Sequence, residues 1–128
     1  PVSANLDRVQ VIKGWVDSAG ETHETVFDVA LSDERTVSAD GTVPAVGNTV
    51  DLSTARYTND IGAVDFATVW SDPAFDASQR AFYYVRVLEI PTPRNSTQDM
   101  VAMKQPLPEG YPASIQERAY TSPIWYTP

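Results

Sequence analysis

The stretch Gln79–Ser96, QRAFYYVRVLEIPTPRNS, decides the architecture. From Ala81 to Ile90 it carries Phe82, Tyr83, Tyr84, Val85, Val87, Leu88 and Ile90, large residues at odd and even positions alike. Aromatic and β-branched side chains suit a pleated backbone. A run that is apolar on both faces predicts a central strand covered on both sides. Pro91 and Pro93 stop it, because neither can donate to a ladder. Seven of the ten prolines lie at or after position 91, and the segment Pro91–Ser114 reads as one long proline-rich loop. A structureless stretch of that length in a compact domain is either functional or needs a partner surface.

Upstream, Val9–Val16 (VQVIKGWV) and Thr22–Leu31 (THETVFDVAL) are both β-rich. A three-residue loop, Ser18 to Gly20, puts Gly20 in the left-handed position that such hairpins prefer. That register sets Val11 opposite Phe27 and Val9 opposite Val29. One face then holds Val9, Val11, Trp15, Phe27, Val29 and Leu31, with Lys13 and His23 as polar exceptions near the turn. Ser32–Gly47 is turn-rich around Asp40-Gly41. Asn48–Tyr57 can supply a third strand, and Ile61–Trp70 fits a strand or a short helix, with strand preferred. Ser71–Ser78 is a loop, and Ile115–Tyr126 returns as a final strand interrupted by Pro123. Short strands separated by turn signals predict an all-β fold, an antiparallel β-sandwich or a barrel-like domain, with the 91–114 loop as its longest irregular part. The 128 residues fit a single β domain.

The formal net charge is −8, and the 9 Lys and Arg residues are scattered singly. Without a basic stripe to neutralise phosphates, the chain is expected to bind no nucleic acid and no anionic membrane. It has no cysteine, which removes disulfides, thiolate metal sites and thiol chemistry. Its one histidine, His23, cannot build a histidine-based metal site alone and reads as a hairpin residue. Asp72 and Asp76, with Asn59, Asp60 and Asp65, are the nearest to an acidic cluster, but their spacing matches no calcium loop and suits turn caps. Glu89, Glu117 and Asp28 are the acids available for a paired-carboxylate site, with no spacing to support one. Trp70, Phe75, Tyr83, Tyr84, Trp125 and Tyr126 are either core or a sugar-stacking platform, and strand aromatics usually pack. Arg86, within the expected central strand, calls for a partner among Glu89, Glu117 and Asp65. No phosphate-binding glycine loop and no nucleophile elbow is present.

The stretch around QRAFYYVRVLEIPTPRNS, together with SIQERAYTSPIWYTP, VQVIKGWVDSAGETHETVFDVALS and VGNTVDLSTARYTNDIG, resembles the C-terminal region of a bacterial family called domain of unknown function 3604. One departure is Asn95, where the family pattern commonly has Trp after the PTPR motif. The resemblance implies a C-terminal fragment of a longer protein whose N-terminal part resembles metal-dependent hydrolases of the polymerase-and-histidinol-phosphatase type. The divalent metal and its ligands are then expected in that N-terminal part, with no cofactor in this fragment. A periplasmic or secreted setting is also implied. The fragment itself is expected to be non-catalytic, to have its own N-terminal catalytic domain as partner, and to place Arg94, Asn95 and Ser96 near the active-site rim. An independent carbohydrate-binding module is the alternative, and a small enzyme using its carboxylates a third.

Overall fold

The computed structural model describes residues 3–128. Its centre is an antiparallel five-stranded sheet. Strands β1 (Leu6–Val16), β2 (Thr22–Leu31) and β3 (Ala81–Glu89) lie in the order β2-β1-β3. The free edge of β3 is shared by two short strands, β6 (Arg118–Tyr120) and β7 (Ile124–Tyr126). A separate ribbon pairs β4 (Thr92–Pro93) with β5 (Ser114–Ile115), and helix α1 (Asn95–Met103) lies between them in sequence. The fold is all-β with one short helix, and its sheets are open rather than closed into a barrel.

The first hairpin forms as its residues dictate. The Asp17 amide donates to the Glu21 carbonyl at 3.0 Å, and the Gly20 amide returns to the Asp17 carbonyl at 3.0 Å. Gly20 takes φ 85, a conformation a side chain resists. Val11 faces Phe27 as the register requires, but Val9 faces Ala30 instead of Val29. The cause is a bulge, in which Val29 is the extra residue on β2. A second bulge makes Asp7 the extra residue of β1 against β3. β3, expected to be covered on both faces, is paired along both edges, but its residues from Phe82 to Glu89 are only half-buried. The most buried strand is nevertheless β1, with Gln10 to Gly14 all buried, because β3 borders the short, exposed β6 and β7.

Three further sequence expectations are corrected. Asn48–Tyr57 forms no strand: Asp51 Oδ1 accepts from the Ser53 amide at 2.8 Å, and the chain folds back until the Asp51 amide meets the Arg56 carbonyl at 2.8 Å. That local side-chain bond competes with a sheet ladder and wins. Ile61–Trp70 forms no strand either. Gly62 sits at φ 81, where a Cβ would stand 2.6 Å from Ile90 Cγ2 and 2.9 Å from Asn5 Cβ, and only Ala63 bridges to Leu6. Within the proline-rich segment, nine residues form α1, framed by the β4–β5 ribbon. The Thr97 hydroxyl donates to the Ala113 carbonyl at 2.6 Å and ties the helix to that ribbon.

One sheet face carries Val11, Lys13 and Trp15 of β1 beside Phe27 of β2 and Val85 and Tyr83 of β3. The irregular chain from Trp70 to Phe75 packs over it. The Trp70 ring lies 5.0 Å from Phe27 and 6.4 Å from Tyr83, and Phe75 meets Tyr126 edge-on at 5.0 Å. Lys13 is only 3% exposed beneath this cover. Its Nζ donates to Asp72 Oδ2 at 2.6 Å and to the Ala74 carbonyl at 2.7 Å. The Tyr83 hydroxyl donates to the same Asp72 oxygen at 2.7 Å. A buried ammonium is tolerated here because each charged partner is hydrogen-bonded.

Candidate functional site

The other sheet face is built from the alternate residues, in three cross-strand rows. Strand register aligns Glu24, Gly14, Phe82 and Trp125 in the first, Val26, Ile12 and Tyr84 in the second, and Asp28, Gln10, Arg86 and Tyr120 in the third. Gly14 leaves a gap in the first row, and the Phe82 ring leans into it: a Cβ on Gly14 would stand 2.3 Å from Phe82 Cζ. Ile12, in the middle, is fully buried by its neighbours. The third row is a hydrogen-bonded line. Arg86 Nε donates to Gln10 Oε1 at 2.8 Å, and Gln10 Nε2 donates to Asp28 Oδ1 at 2.9 Å. Arg8 reaches the same Asp28 oxygen at 3.4 Å.

The aromatic residues of this face form a continuous row. Trp125 lies 5.3 Å from Phe82, Phe82 stacks on Tyr84 at 6.4 Å with an interplanar angle of 11°, and Tyr84 lies 6.2 Å from Tyr120. Trp125 is 71% exposed and Tyr120 56%. At the Trp125 end a cleft of about 570 Å³ opens toward the hairpin, lined among others by Gly14, Val16, Glu24, Arg80, Phe82 and Trp125. Among the described residues neither Glu24 nor Arg80 forms an ion pair. A concave, largely apolar site with a few polar groups is the usual form of a small-molecule pocket.

The aromatics named from sequence therefore divide between two faces. Trp70, Phe75, Tyr83 and Tyr126 pack on the covered face, while Tyr84 and Trp125 stand on the open one. Phe82 is expected only as part of the central strand, and Tyr120, Glu24 and Arg80 are not among the expected site residues. Alternation along β3 places Phe82 with Tyr84, but Tyr120 and Trp125 join them only through pairing across long sequence distances.

Arg94, Asn95 and Ser96 lie at the opposite end of β3, where the chain leaves the sheet. Arg94 is the N-cap of α1, in extended backbone with no side-chain cap bond. Its amide donates to the Ala113 carbonyl at 3.1 Å, and its carbonyl accepts from the Thr97 and Gln98 amides. The Asn95 side chain is exposed and that of Ser96 half-buried. The three residues are contiguous on a framed helix start, and the cleft is not part of their surroundings.

His23 stacks on Trp15 at 5.2 Å and its Nε2 lies 2.8 Å from Asp17 Oδ2. Asp17 is held below its ordinary pKa by the His23 bond first and by the Glu21 and Ala19 amides. Asp76 is held low by the Ser78 hydroxyl and amide, and Asp60 accepts from the Thr58 hydroxyl. These acids serve as turn caps. Asp72 belongs to the Lys13 cluster instead. Arg86 takes Gln10 as its partner, correcting the expected Glu89, Glu117 or Asp65. Asp28 is bonded to Arg8 and Gln10, and Glu89 accepts from Ser3. The strands carrying these two acids are separated by β1. Among the described residues, no three His, Cys, Asp or Glu side chains are grouped to hold a metal ion. No helix of the described residues is long and apolar enough to cross a membrane.

The architecture is an open antiparallel β domain with one strapped face and one aromatic face. The profile of a family described as "Protein of unknown function (DUF3604)" matches residues 1–128, and the chain belongs to that family. No curated protein and no solved structure matches it.

Proposed function

We propose that this chain is a non-catalytic accessory domain, the C-terminal part of a metal-dependent ester hydrolase, which packs on the catalytic domain and lends Arg94, Asn95 and Ser96 to the rim of its active site. The observation that carries this reading is the construction of the 91–114 arm. A helix of nine residues is held between the two strands of a short ribbon, so that its first turn is rigid while its side chains are not consumed by capping. Met103 and Tyr111, at 55% and 65% exposure, leave apolar surface on the same arm. Large apolar side chains left in water are what a contact surface needs. The carboxylates of Asp7, Asp28, Asp72 and Asp76 are engaged in structural bonds, which favours a supporting role for them over a catalytic one.

On this reading the divalent metal that the resemblance implies is held by the N-terminal part of the parent protein. The reading also carries the periplasmic or secreted setting, which follows from the family resemblance alone. The test is Arg94→Ala in the parent enzyme. Its expected result is at least a tenfold loss of kcat/KM, about 1.4 kcal/mol, with the melting temperature unchanged because the Arg94 side chain makes no cap bond. Unchanged kinetics with a lowered melting temperature would reduce Arg94 to a structural residue.

A further inference from the structure

The open sheet face is a built surface rather than a leftover one. Trp125, Phe82, Tyr84 and Tyr120 form an aromatic row, with Glu24 and Arg80 at its cleft end and Arg86 paired with Tyr120 at the other. We propose that this face binds a neutral, linear glycan, whose sugar rings lie along the aromatic row and whose terminal unit enters the cleft between Glu24 and Arg80.

Four observations favour this ligand class. First, Phe82 and Tyr84 are two residues apart on one strand and their ring planes differ by only 11°, so the row continues along the strand with near-parallel rings. An extended ligand with apolar C–H faces matches such a line, whereas a compact one covers only part of it. Second, the cleft combines aromatic walls with one carboxylate and one guanidinium, a set that accepts from and donates to hydroxyl groups on the same ring. Third, the chain carries a net charge of −8 with no cluster of bases, so a sulfated, phosphorylated or uronic ligand meets repulsion. Fourth, the volume of about 570 Å³ lies within the range of small-molecule sites and exceeds what a single inserted side chain fills.

The site is independent of the rim proposed for Arg94. The cleft adjoins Ala81 and the arm leaves after Ile90, so the length of β3 separates them, about 30 Å at the rise of a strand. Failure of one proposal therefore leaves the other standing.

The experiment is a titration of the 128-residue chain with cellohexaose, xylohexaose, mannohexaose and maltohexaose, read by tryptophan fluorescence and by amide chemical shifts. At least one of these probes is expected to bind with a micromolar to millimolar dissociation constant and to shift Phe82, Tyr84 and Trp125. Trp125→Ala is expected to weaken binding at least tenfold with an unchanged melt, since Trp125 is exposed. Tyr120→Ala and Glu24→Gln are expected to weaken it severalfold. Absence of any shift at millimolar sugar overturns the proposal, as does equal binding by Trp125→Ala. A Trp125 signal that follows protein concentration instead of sugar overturns it too, and assigns the face to a second copy of the chain.

Discussion

Asp72→Ala is expected to destabilise the fold by about 3–5 kcal/mol, the cost of breaking a buried pair by removing one partner. The substitution leaves the Lys13 ammonium buried with the Ala74 carbonyl as its remaining bonded oxygen, and it strips the Tyr83 hydroxyl of its acceptor. Asp72 and the Ala74 carbonyl together fasten the strap to Lys13 of β1, and the substitution removes the charged half of that tie. The melting temperature should fall by roughly 10–20 °C for a domain of this size. Replacing both partners, with Lys13→Met and Asp72→Leu, should recover most of the loss, since an apolar pair of similar volume removes the stranded charge. A double-mutant cycle by thermal and denaturant unfolding measures the coupling.

The same cluster sets a pH dependence. Burial alone would push the Asp72 carboxyl up, but bonds from Lys13, the Tyr83 hydroxyl and the Ala74 amide outweigh it and hold the group below its ordinary 3.8. Its contribution is present above the unfolded pKa and is lost as pH falls through the lower folded value. The Tyr83 phenol moves the other way: burial first, then the bond to Asp72, push it from 10.0 to about 12. Its contribution is complete below pH 10 and is lost as pH rises toward 12. Tyr83→Phe should flatten stability between those two values, measured by unfolding at fixed temperature across the alkaline range.

Asp7→Ala is the second large effect, expected at about 3–5 kcal/mol for the same physical reason. Asp7 is 1% exposed and is the extra residue that the bulge turns out of the β1 ladder. Its carboxylate receives Arg35 Nη2, Arg8 Nε at 3.1 Å and Gln116 Nε2 at 2.8 Å. Arg35 then spreads its remaining donors over the Ser32 carbonyl at 3.0 Å and the Pro44 carbonyl at 2.9 Å. One carboxylate thus ties the loop after β2 and the segment before β6 to β1. Its loss should speed amide exchange selectively across residues 32–47, while the hairpin turn at Ser18–Gly20 keeps its rates. Arg35→Lys should reproduce much of the loss, because a point charge cannot replace a planar fork that serves five oxygens of Asp7, Ser32 and Pro44.

What was legible in the sequence was local. The hairpin of β1 and β2 and its three-residue turn follow from alternation and one glycine, and the span of β3 from an unbroken run of large residues stopped by Pro91. The two bulges were not legible, since Val29 is an ordinary strand residue and Asp7 lies before the span, Val9–Val16, that reads as the first strand. Yet one of them aims the most consequential carboxylate of the fold. Asn48–Tyr57 and Ile61–Trp70 have strand-like composition, but aspartate-capped turns and the tight approach of Gly62 to Ile90 decide their course. The α1 helix lacks a side-chain N-cap and an acidic first turn, which removes the usual signals of a helix start. The aromatic face was half visible: Phe82 and Tyr84 share a face by period two, but the flanking rings are supplied by strands about 40 residues later, through pairings that no local pattern announces.

The central claim, that this domain completes the active site of a longer enzyme, is tested most directly by removing the domain and adding it back. The parent protein lacking residues 1–128 is assayed with manganese or zinc against phosphate, sulfate and carboxylate esters, alone and with the separate 128-residue chain supplied in excess. The account predicts a truncated protein that is folded and metal-loaded but at least tenfold less active, with activity restored by the added domain and not by its Arg94→Ala variant. Full activity without the domain, under any metal, would contradict the account and leave the chain an appendage whose role lies on its aromatic face.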